Sequence, residues 1–429
     1  MAITRRQFIK QSAGIASVGI FMPRVWLGDA SGQERLSNSR RKLVVIQLAG
    51  GNDGLNTVIP YSDSRYYSLR PALSFKQTEL KDELNRPTMI SNELALHPAM
   101  KEIKDLYDAG RVAIVNGVGY PQPNLSHFLS MDVWHTANPS GVGGAGWLGK
   151  YADIALIGKQ GISAASIGGA LPKSLFANRS VIPNIQDFAF YNFVGDPGYP
   201  GDYGNQLNVF TAAAARGFDL GTFQSAINST SFDAVKGAQQ LQASVAGYSS
   251  SVTYPPENPL AAALKMASRI ITTIPDASLL YVTLGGFDTH SDQIDHPGGQ
   301  ANKLTGQHAS LVRWFSQAVK AFYDDMTEHG MADDVVIMEW SEFGRRPEEN
   351  ASFGTDHGTA NPMFVIGNPV RGGIYGGQPS LNPVDLDAAG NIKFTVDFRS
   401  VYATVLDRWL ETDSQGILGG RFENAGFLG

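Results

Sequence analysis

Residues 43–53 read Leu-Val-Val-Ile-Gln-Leu-Ala-Gly-Gly-Asn-Asp, an apolar and β-branched run that ends in two glycines and an acid. Such a run, bounded by a turn signal, is typical of a buried β-strand that enters a tight loop. Helical spacing follows at 97–108 and ends at Gly110, and a second apolar run covers 112–115. A strand, a helix and a strand in this order predict a mainly parallel sheet covered by helices, an α/β fold.

The rest of the chain continues this alternation. Further strands are expected at 162–167, 279–284, 334–340 and 363–366, and helices at 147–155, 258–274, 304–329 and 398–411. Between them, the chain from 188 to 207 is rich in Gly, Pro and Tyr, and 209–248 has the spacing of one helix. We therefore expect one α/β domain over 40–429, with a helical insertion at about 190–260.

Composition narrows the functional class. The chain has 429 residues, of which 43% are hydrophobic and 17% charged, so a globular protein with a large core is expected. The formal net charge is -6 and no basic block follows the N-terminus, which disfavours nucleic-acid binding. The absence of cysteine excludes disulfides, cysteine-ligated zinc and a thiol nucleophile.

The N-terminus carries an export motif. Residues 4–10 read Thr-Arg-Arg-Gln-Phe-Ile-Lys, and a modestly apolar run covers 13–22. Two arginines before Phe-Ile-Lys predict a twin-arginine export signal over 1–30, although a basic start to an amphipathic helix is the alternative. The apolar run is too short to span a bilayer. We expect a periplasmic or secreted protein that uses the twin-arginine export machinery and has no stable membrane span.

Three glycine-rich segments each carry an acid, which is Asp53, Asp288 or Asp356. In parallel α/β sheets, ligands bind at the carboxyl ends of strands, where such loops converge. Three carboxylates brought together there would repel one another unless a cation or a proton shared the site. Each acid taken alone could equally be an ordinary turn residue.

Two histidines lie beside these acids in the sequence. His290 follows Asp288 by two residues, and His357 is adjacent to Asp356. Imidazole and carboxylate together form a mixed nitrogen and oxygen ligand set, which suits zinc or manganese better than calcium. A capping or core role is the alternative for His290.

Other polar residues have two interpretations. Ser126 and His127 start a helix, and His127 is either the partner of a nucleophile or a packed helix residue. Arg345 and Arg346 could clamp an anionic oxygen pair. Glu342 could instead form a local ion pair with Arg345. Three histidines in helices without an acid in a glycine loop are left out of the site: His97, His308 and His329.

Several motifs together resemble a known family, the bacterial domain-of-unknown-function family 1501, from about residue 40 onward. The twin-arginine start is one, and the others read Leu-Ala-Gly-Gly-Asn-Asp-Gly, Asn-Leu-Ser-His-Phe, Gly-Gly-Phe-Asp-Thr-His, Ser-Glu-Phe-Gly-Arg and Gly-Thr-Asp-His-Gly. That family is placed with the alkaline phosphatase and sulfatase superfamily. The resemblance implies a three-layer α/β/α fold, and it implies more about fold than about reaction.

The superfamily also implies a site. Its nucleophile at the start of a helix falls on Ser126, and its first metal-ligating acid falls on Asp53. Its remaining ligands fall on two pairs, Asp288 with His290 and Asp356 with His357.

The sequence departs from that pattern in three ways. The middle Asp and His are two residues apart, whereas alkaline phosphatases space them four apart. No histidine follows His357, so a second metal site would be weak, use His296 or Glu342, or be absent. Residues 126–130 lack the C/S-x-P-x-R pattern of sulfatases, which disfavours a sulfatase with an oxidised nucleophile.

Two functions are therefore expected. The first is an exported metal-dependent hydrolase of phosphate or sulfate esters, with a small-molecule or polymer substrate. Ser126 would attack, Arg345 would bind a non-bridging oxygen, and zinc or manganese would be held by Asp53, Asp356 and His357, with a second ion on Asp288 and His290. The alternative is a non-catalytic envelope or surface binding protein on the same fold.

Overall fold

The computed structural model describes residues 40–429, except 141–142, 189–190, 192–195, 197, 215–222 and 297–300. The expected export signal at 1–30 lies outside the described residues. In the part of the chain that is described, no helix combines the length and the apolar character that a membrane crossing requires.

The strands are short and mostly buried. In chain order, the described residues contain β1 (Lys42–Leu48), β2 (Val58–Ile59), β3 (Ala95–Leu96), β4 (Val112–Gly119), β5 (Ala164–Ile167), β6 (Asn184–Ile185), β7 (Leu279–Leu284), β8 (Val335–Trp340), β9 (Arg345–Glu349), β10 (Thr355–His357), β11 (Asn361–Ile366), β12 (Gly373–Tyr375) and β13 (Val396–Asp397).

One nine-stranded sheet organises the domain. Its order is β12-β4-β11-β8-β1-β7-β5-β6, with β13 beside β4. Strand β1 lies at the centre and is parallel to both neighbours, with Val45 opposite Met338 of β8 and Tyr281 of β7. Among the described strands of this sheet, only β11 runs against its neighbours, β4 and β8. The predicted mainly parallel sheet is confirmed.

Most helices of the described residues lie between these strands in sequence, and the last ones follow β13. They are α1 (Gly54–Thr57), α2 (Ser64–Leu69), α3 (Lys101–Asp108), α4 (His127–Thr136), α5 (Trp147–Ala155), α6 (Tyr203–Ala214), α7 (Phe223–Gly247), α8 (Pro259–Thr273), α9 (Gln307–Glu328), α10 (Phe398–Thr404) and α11 (Ser414–Leu418), and a π-helical turn, Val405–Trp409, continues α10.

Helices cover both faces of the sheet. Ile103 of α3, Leu264 of α8 and Phe315 of α9 are buried in a core cluster on one face. Trp147 of α5 and Tyr402 of α10 are buried in a second cluster on the other face. Because both faces of the strands are buried, the strands read as continuous apolar runs rather than alternating ones. The predicted three-layer α/β/α architecture is confirmed.

Two local predictions are wrong. The single helix expected at 209–248 is two helices, α6 and α7; Gly217 and Gly221, which have low helix propensity, lie between them in the sequence. The glycine-rich segment that contains Asp356 was expected as a loop at the carboxyl end of a sheet strand, but it does not follow a strand of the main sheet directly. It forms β10, which pairs with β9 as an antiparallel ribbon outside the main sheet. The expected insertion at 190–260 contains α6 and α7, and its boundaries stay a prediction.

Candidate metal centre

The loops after β8, β1 and β7 meet at one edge of the sheet because these three neighbouring strands are parallel. Gly50, in the loop after β1, has φ +123°, and a Cβ atom there would lie 2.4 Å from the backbone nitrogen of Asp288. Glycine is therefore required for this close approach of the two loops. The approach brings the loop that carries Asp288 beside Glu342, whose Oε1 accepts a hydrogen bond from the Gly50 N–H at 2.8 Å.

Three side chains converge at this edge. His127 is the first residue of α4, Asp288 lies in the loop after β7, and His357 ends β10. One ligand atom from each lies within 4.8 Å of the other two. Asp288 Oδ1 is 3.1 Å from His357 Nε2, and Asp288 Oδ2 is 3.5 Å from His127 Nε2. This arrangement of one carboxylate and two imidazoles fits a divalent metal ion.

The other ring nitrogens of the two imidazoles have partners outside the cluster. His357 Nδ1 lies 2.8 Å from the carbonyl oxygen of Leu125, and His127 Nδ1 lies 2.8 Å from Glu342 Oε1. A carbonyl only accepts hydrogen bonds, so the neutral ring of His357 carries its proton on Nδ1 and presents a lone pair on Nε2. His127 Nε2 is buried and has no hydrogen-bond partner among the described residues.

An aromatic ring packs against both of these imidazoles. Phe343 is 1% exposed, and its ring centroid lies 4.9 Å from that of His127 and 4.7 Å from that of His357. Packing of this kind restricts the ring orientations that the hydrogen bonds select.

His290 lies at the exposed rim of the cluster. Its Nε2 is 2.9 Å from His357 Nε2 and 3.1 Å from Asp288 Oδ1, and its side chain is 46% exposed. Its Nδ1 is 3.3 Å from Asp356 Oδ1, which also accepts a hydrogen bond from Asn350 at 3.1 Å. The contact of Asp356 with the cluster is therefore indirect and is made by His290.

The charge states follow from these contacts. Partial burial opposes ionisation of Asp288, but the hydrogen bond and the positive charge of Arg345 outweigh it and lower the pKa of Asp288 to about 2. The hydrogen bond to Glu342 raises the pKa of His127, whereas burial lowers the pKa of His357. The cluster thus contains an ionised carboxylate facing imidazole nitrogens.

Arg345 supports the cluster from inside the protein. Its Nη2 donates to Asp288 Oδ1 at 2.7 Å, and its side chain is fully buried. The other hydrogen bonds of the guanidinium go to backbone carbonyls, those of Gly50, Gly51, Phe287 and Thr355. The expected contact of Arg345 with a substrate oxygen has no support in this geometry, because the guanidinium lies beneath the loops. The local ion pair with Glu342 is not formed.

Asp53 lies away from the cluster and is not one of its three members. It is 1% exposed, and its Oδ2 accepts from Arg70 Nη1 at 2.6 Å and from Gln293 Nε2 at 2.5 Å. Burial opposes ionisation, but Arg70 and Gln293 lower the pKa of Asp53. Thr355 donates to the same Gln293 side chain at 2.7 Å. Asp53 therefore has the contacts of a buried ion pair beneath the site.

Ser126 immediately precedes His127 and is the N-cap of α4, where its hydroxyl makes no capping hydrogen bond. Both of its chain neighbours contact the cluster, Leu125 through its carbonyl and His127 through its ring. The role of Ser126 as nucleophile stays a prediction.

Sequence reasoning did not place His127 among the metal ligands, and it gave Glu342 only as an alternative ligand for a second ion. His127 was as compatible with a packed helix residue as with a functional one, and only its position at a helix start, directly after Ser126, could have indicated a ligand. Glu342 contacts His127 across 215 residues of sequence. The alternative ligand His296 instead pairs with Asp292 at 2.9 Å and stacks on Phe353.

A family model described as a protein of unknown function, DUF1501, matches residues 40–419. The chain belongs to this family. None of the curated proteins compared with the chain matches it.

The solved structures that match this member of the DUF1501 family are distant from it. One is Ps i-CgsB bound to neocarrahexaose, with 11% identity, 89% of this chain and 73% of that chain covered, and a TM-score of 0.39. A second is a protein of the alkaline phosphatase superfamily from Vibrio parahaemolyticus, with 10% identity, coverages of 90% and 76%, and a TM-score of 0.33. A third is the lipoteichoic acid synthase LtaP from Listeria monocytogenes, with 10% identity, coverages of 82% and 70%, and a TM-score of 0.34. These likenesses are too low to assign an activity.

Proposed function

We propose that this DUF1501 protein is a metal-dependent hydrolase of phosphate or sulfate esters. The observation that carries the proposal is the convergence of His127, Asp288 and His357 within 4.8 Å. The fixed Nδ1 contacts of the two imidazoles, which leave both Nε2 atoms directed at Asp288, support it further.

The donor set fits zinc or manganese. His127 and His357 would supply nitrogens and Asp288 an oxygen, and His290 lies close enough to add a nitrogen at the exposed rim. A divalent ion held there supplies Lewis-acid polarisation of an ester oxygen. A site that binds one ion is proposed, because Asp53 is already neutralised by Arg70.

Ser126 is the proposed nucleophile. Its hydroxyl is not used in capping α4, and it lies between two residues that contact the cluster. The start of α4 also directs partial positive charge toward this position, which favours a serine oxyanion and an anionic substrate.

Arg346 is the proposed contact for the anionic oxygens of the substrate, in place of Arg345. It is half-buried, and within the described residues its guanidinium makes no hydrogen bond or ion pair. It lies close enough to Asp356 to contribute to the lowered pKa of that carboxyl, after the hydrogen bonds of Asn350 and His290. A guanidinium without a protein acceptor is suited to bidentate binding of phosphate or sulfate.

The test uses the purified full chain after loading with zinc or manganese. We expect near-stoichiometric metal by elemental analysis and hydrolysis of an aryl phosphate or aryl sulfate. His357→Ala should lose both, whereas His296→Ala, outside the cluster, should keep both. Ser126→Ala should keep the metal and lose hydrolysis, and Arg346→Ala should raise KM about tenfold or more. A wild-type protein that binds metal but cleaves neither ester class would overturn the hydrolase.

A non-catalytic binding protein is the second candidate. The burial of Arg345 and the pairing of Asp53 with Arg70 favour it, because both remove expected catalytic groups from the site. Metal binding without any esterolysis is the result that this candidate predicts. For either function, we propose export by the twin-arginine machinery to the periplasm or the exterior, on the basis of residues 4–10.

A further inference from the structure

Glu342 follows β8 by two residues, and its carboxylate lies behind the candidate metal centre. The residue is 1% exposed, and its Oε1 is 2.8 Å from His127 Nδ1 and 2.8 Å from the backbone nitrogen of Gly50. We propose that Glu342 is a positioning residue, which orients His127 and strengthens its Nε2 as a metal ligand. This inference rests on the metal centre of the proposed function.

The partners of Glu342 are unusual for a buried carboxylate. Among the described residues it forms no ion pair with a lysine or an arginine, and His127 is the only ionisable partner within salt-bridge distance. Arg345, three residues away, directs its guanidinium to Asp288 instead. Burying a carboxylate without a cation costs several kcal/mol. The charge of Glu342 is therefore directed at the imidazole of His127.

This contact determines which nitrogen of His127 faces the cluster as a lone pair. A carboxylate accepts hydrogen bonds, so Nδ1 of His127 is the donor and, in the neutral ring, Nε2 presents the lone pair. That Nε2 atom is buried, lacks a hydrogen-bond partner among the described residues, and lies 3.5 Å from Asp288 Oδ2. A lone pair facing a carboxylate is unfavourable unless a proton or a metal cation lies between them, and this Nε2 atom is therefore placed to bind either one.

Glu342 also distinguishes His127 from His357. His357 donates its Nδ1–H to the neutral carbonyl of Leu125, whereas His127 donates to an anion. Charge-assisted hydrogen bonds are roughly twice as strong as neutral ones, and a carboxylate partner raises the basicity of a ligating imidazole. Of these two imidazoles, His127 is therefore the stronger metal donor.

The same oxygen couples His127 to the loop that touches Asp288. Oε1 accepts the Gly50 N–H, and the carbonyl of Gly50 accepts from Arg345, which also holds Asp288. The N–H and the carbonyl of Gly50 are thus both hydrogen-bonded.

A direct ligand role for Glu342 is disfavoured, because its Oε1 faces Nδ1 of His127, on the side of the ring away from Nε2 and Asp288.

The experiment compares Glu342→Gln and Glu342→Ala with wild type and with the control Glu339→Gln. Gln keeps an oxygen in the position of Oε1 and removes the charge. Glu339 is also a buried glutamate that accepts a backbone N–H, at 3.1 Å from Phe364, but it contacts no histidine. Zinc affinity is measured by competition with a chromophoric chelator, the Co²⁺ absorption spectrum reports coordination, and thermal unfolding reports folding.

We expect zinc to bind about tenfold more weakly in Glu342→Gln and up to about 100-fold more weakly in Glu342→Ala, with an altered Co²⁺ spectrum. Glu339→Gln should match wild type in zinc affinity and in the Co²⁺ spectrum. Wild-type affinity and spectrum in Glu342→Gln would overturn the positioning role while leaving the metal centre intact. A wild-type chain that binds no metal would overturn both, and metal binding without hydrolysis would count against the hydrolase alone. If Glu342→Ala fails to fold, Glu342→Gln decides.

Discussion

Arg70 Nη1 lies 2.6 Å from Asp53 Oδ2, and both side chains are fully buried. Arg70 also donates to the backbone carbonyls of Pro347 and Arg346, at 2.8 Å each. This ion pair joins the loop after β1 to strand β9, and it occupies the acid that the resemblance assigns to a metal.

Breaking this pair should destabilise the fold without removing metal. We expect Arg70→Met to lower the free energy of unfolding by about 3–5 kcal/mol, because a buried carboxylate is left unpaired. Arg65→Met is the matched control, since the Arg65–Asp63 pair is exposed and 3.8 Å long; its effect should be below about 1 kcal/mol. Denaturant unfolding measures both.

Asp53→Asn tests the same ion pair by removing the charge of the carboxylate. The variant should lose stability and keep the wild-type metal content, and loss of metal from a folded Asp53→Asn protein would restore Asp53 as a ligand. The pKa of Asp53 is lowered in the folded state. Its contribution to stability is therefore present above the unfolded pKa, about 4, and is lost as the pH falls through the lower folded value.

Glu339 should produce the opposite pH dependence. Burial raises its pKa from 4.5 to about 8, partly opposed by the hydrogen bond from the Phe364 N–H. Because the folded state keeps a proton that the unfolded state loses, stability should fall as the pH rises between these values, by up to about 1.4 kcal/mol per unit. Glu339→Gln should flatten this slope and be more stable than wild type at pH 8. The measurement is the free energy of unfolding of both proteins at several pH values in this range. The same dependence on pH in both proteins would contradict the prediction.

His357 and His290 should differ as ligands. His357 belongs to the cluster and has a fixed Nδ1, whereas His290 is 46% exposed and is held by Asp356 at 3.3 Å. We expect His290→Ala to weaken zinc binding about tenfold, and His357→Ala to weaken it considerably more. Chelator competition measures both constants, and an equal or reversed order would show that His290 is a principal ligand.

Gly50→Ala should change the metal centre by altering the spacing of the two loops. The substituted residue would keep a φ of +123° and would place its Cβ 2.4 Å from the Asp288 nitrogen. We expect a loss of about 1–3 kcal/mol in stability together with weaker metal binding, because the loops must separate. Gly169→Ala, where no atom lies within 4 Å of the new Cβ, should leave metal binding unchanged. Wild-type affinity in Gly50→Ala would show that the loop spacing does not matter.

Local pattern predicted much of the fold. The apolar runs at 43–48 and 279–284 and the helical segment 147–155 each formed the element expected, because burial on both faces and helical periodicity leave a direct trace in sequence. The helices α6 and α7 were expected as one, because the helical pattern of 209–248 gave no stop signal that separated them.

The sequence by itself determined that acids and histidines lie close to glycines in short polar segments, because turn chemistry and residue type are local properties. Only the tertiary structure decided which of them meet. Parallel pairing of β8, β1 and β7 brought Asp288 next to Arg345, and the start of α4 placed His127 between Asp288 and Glu342, while Arg70 neutralised Asp53. Partners from different segments of the chain are selected by strand order and by the cost of leaving a buried charge unpaired, and neither is visible in the spacing of one segment.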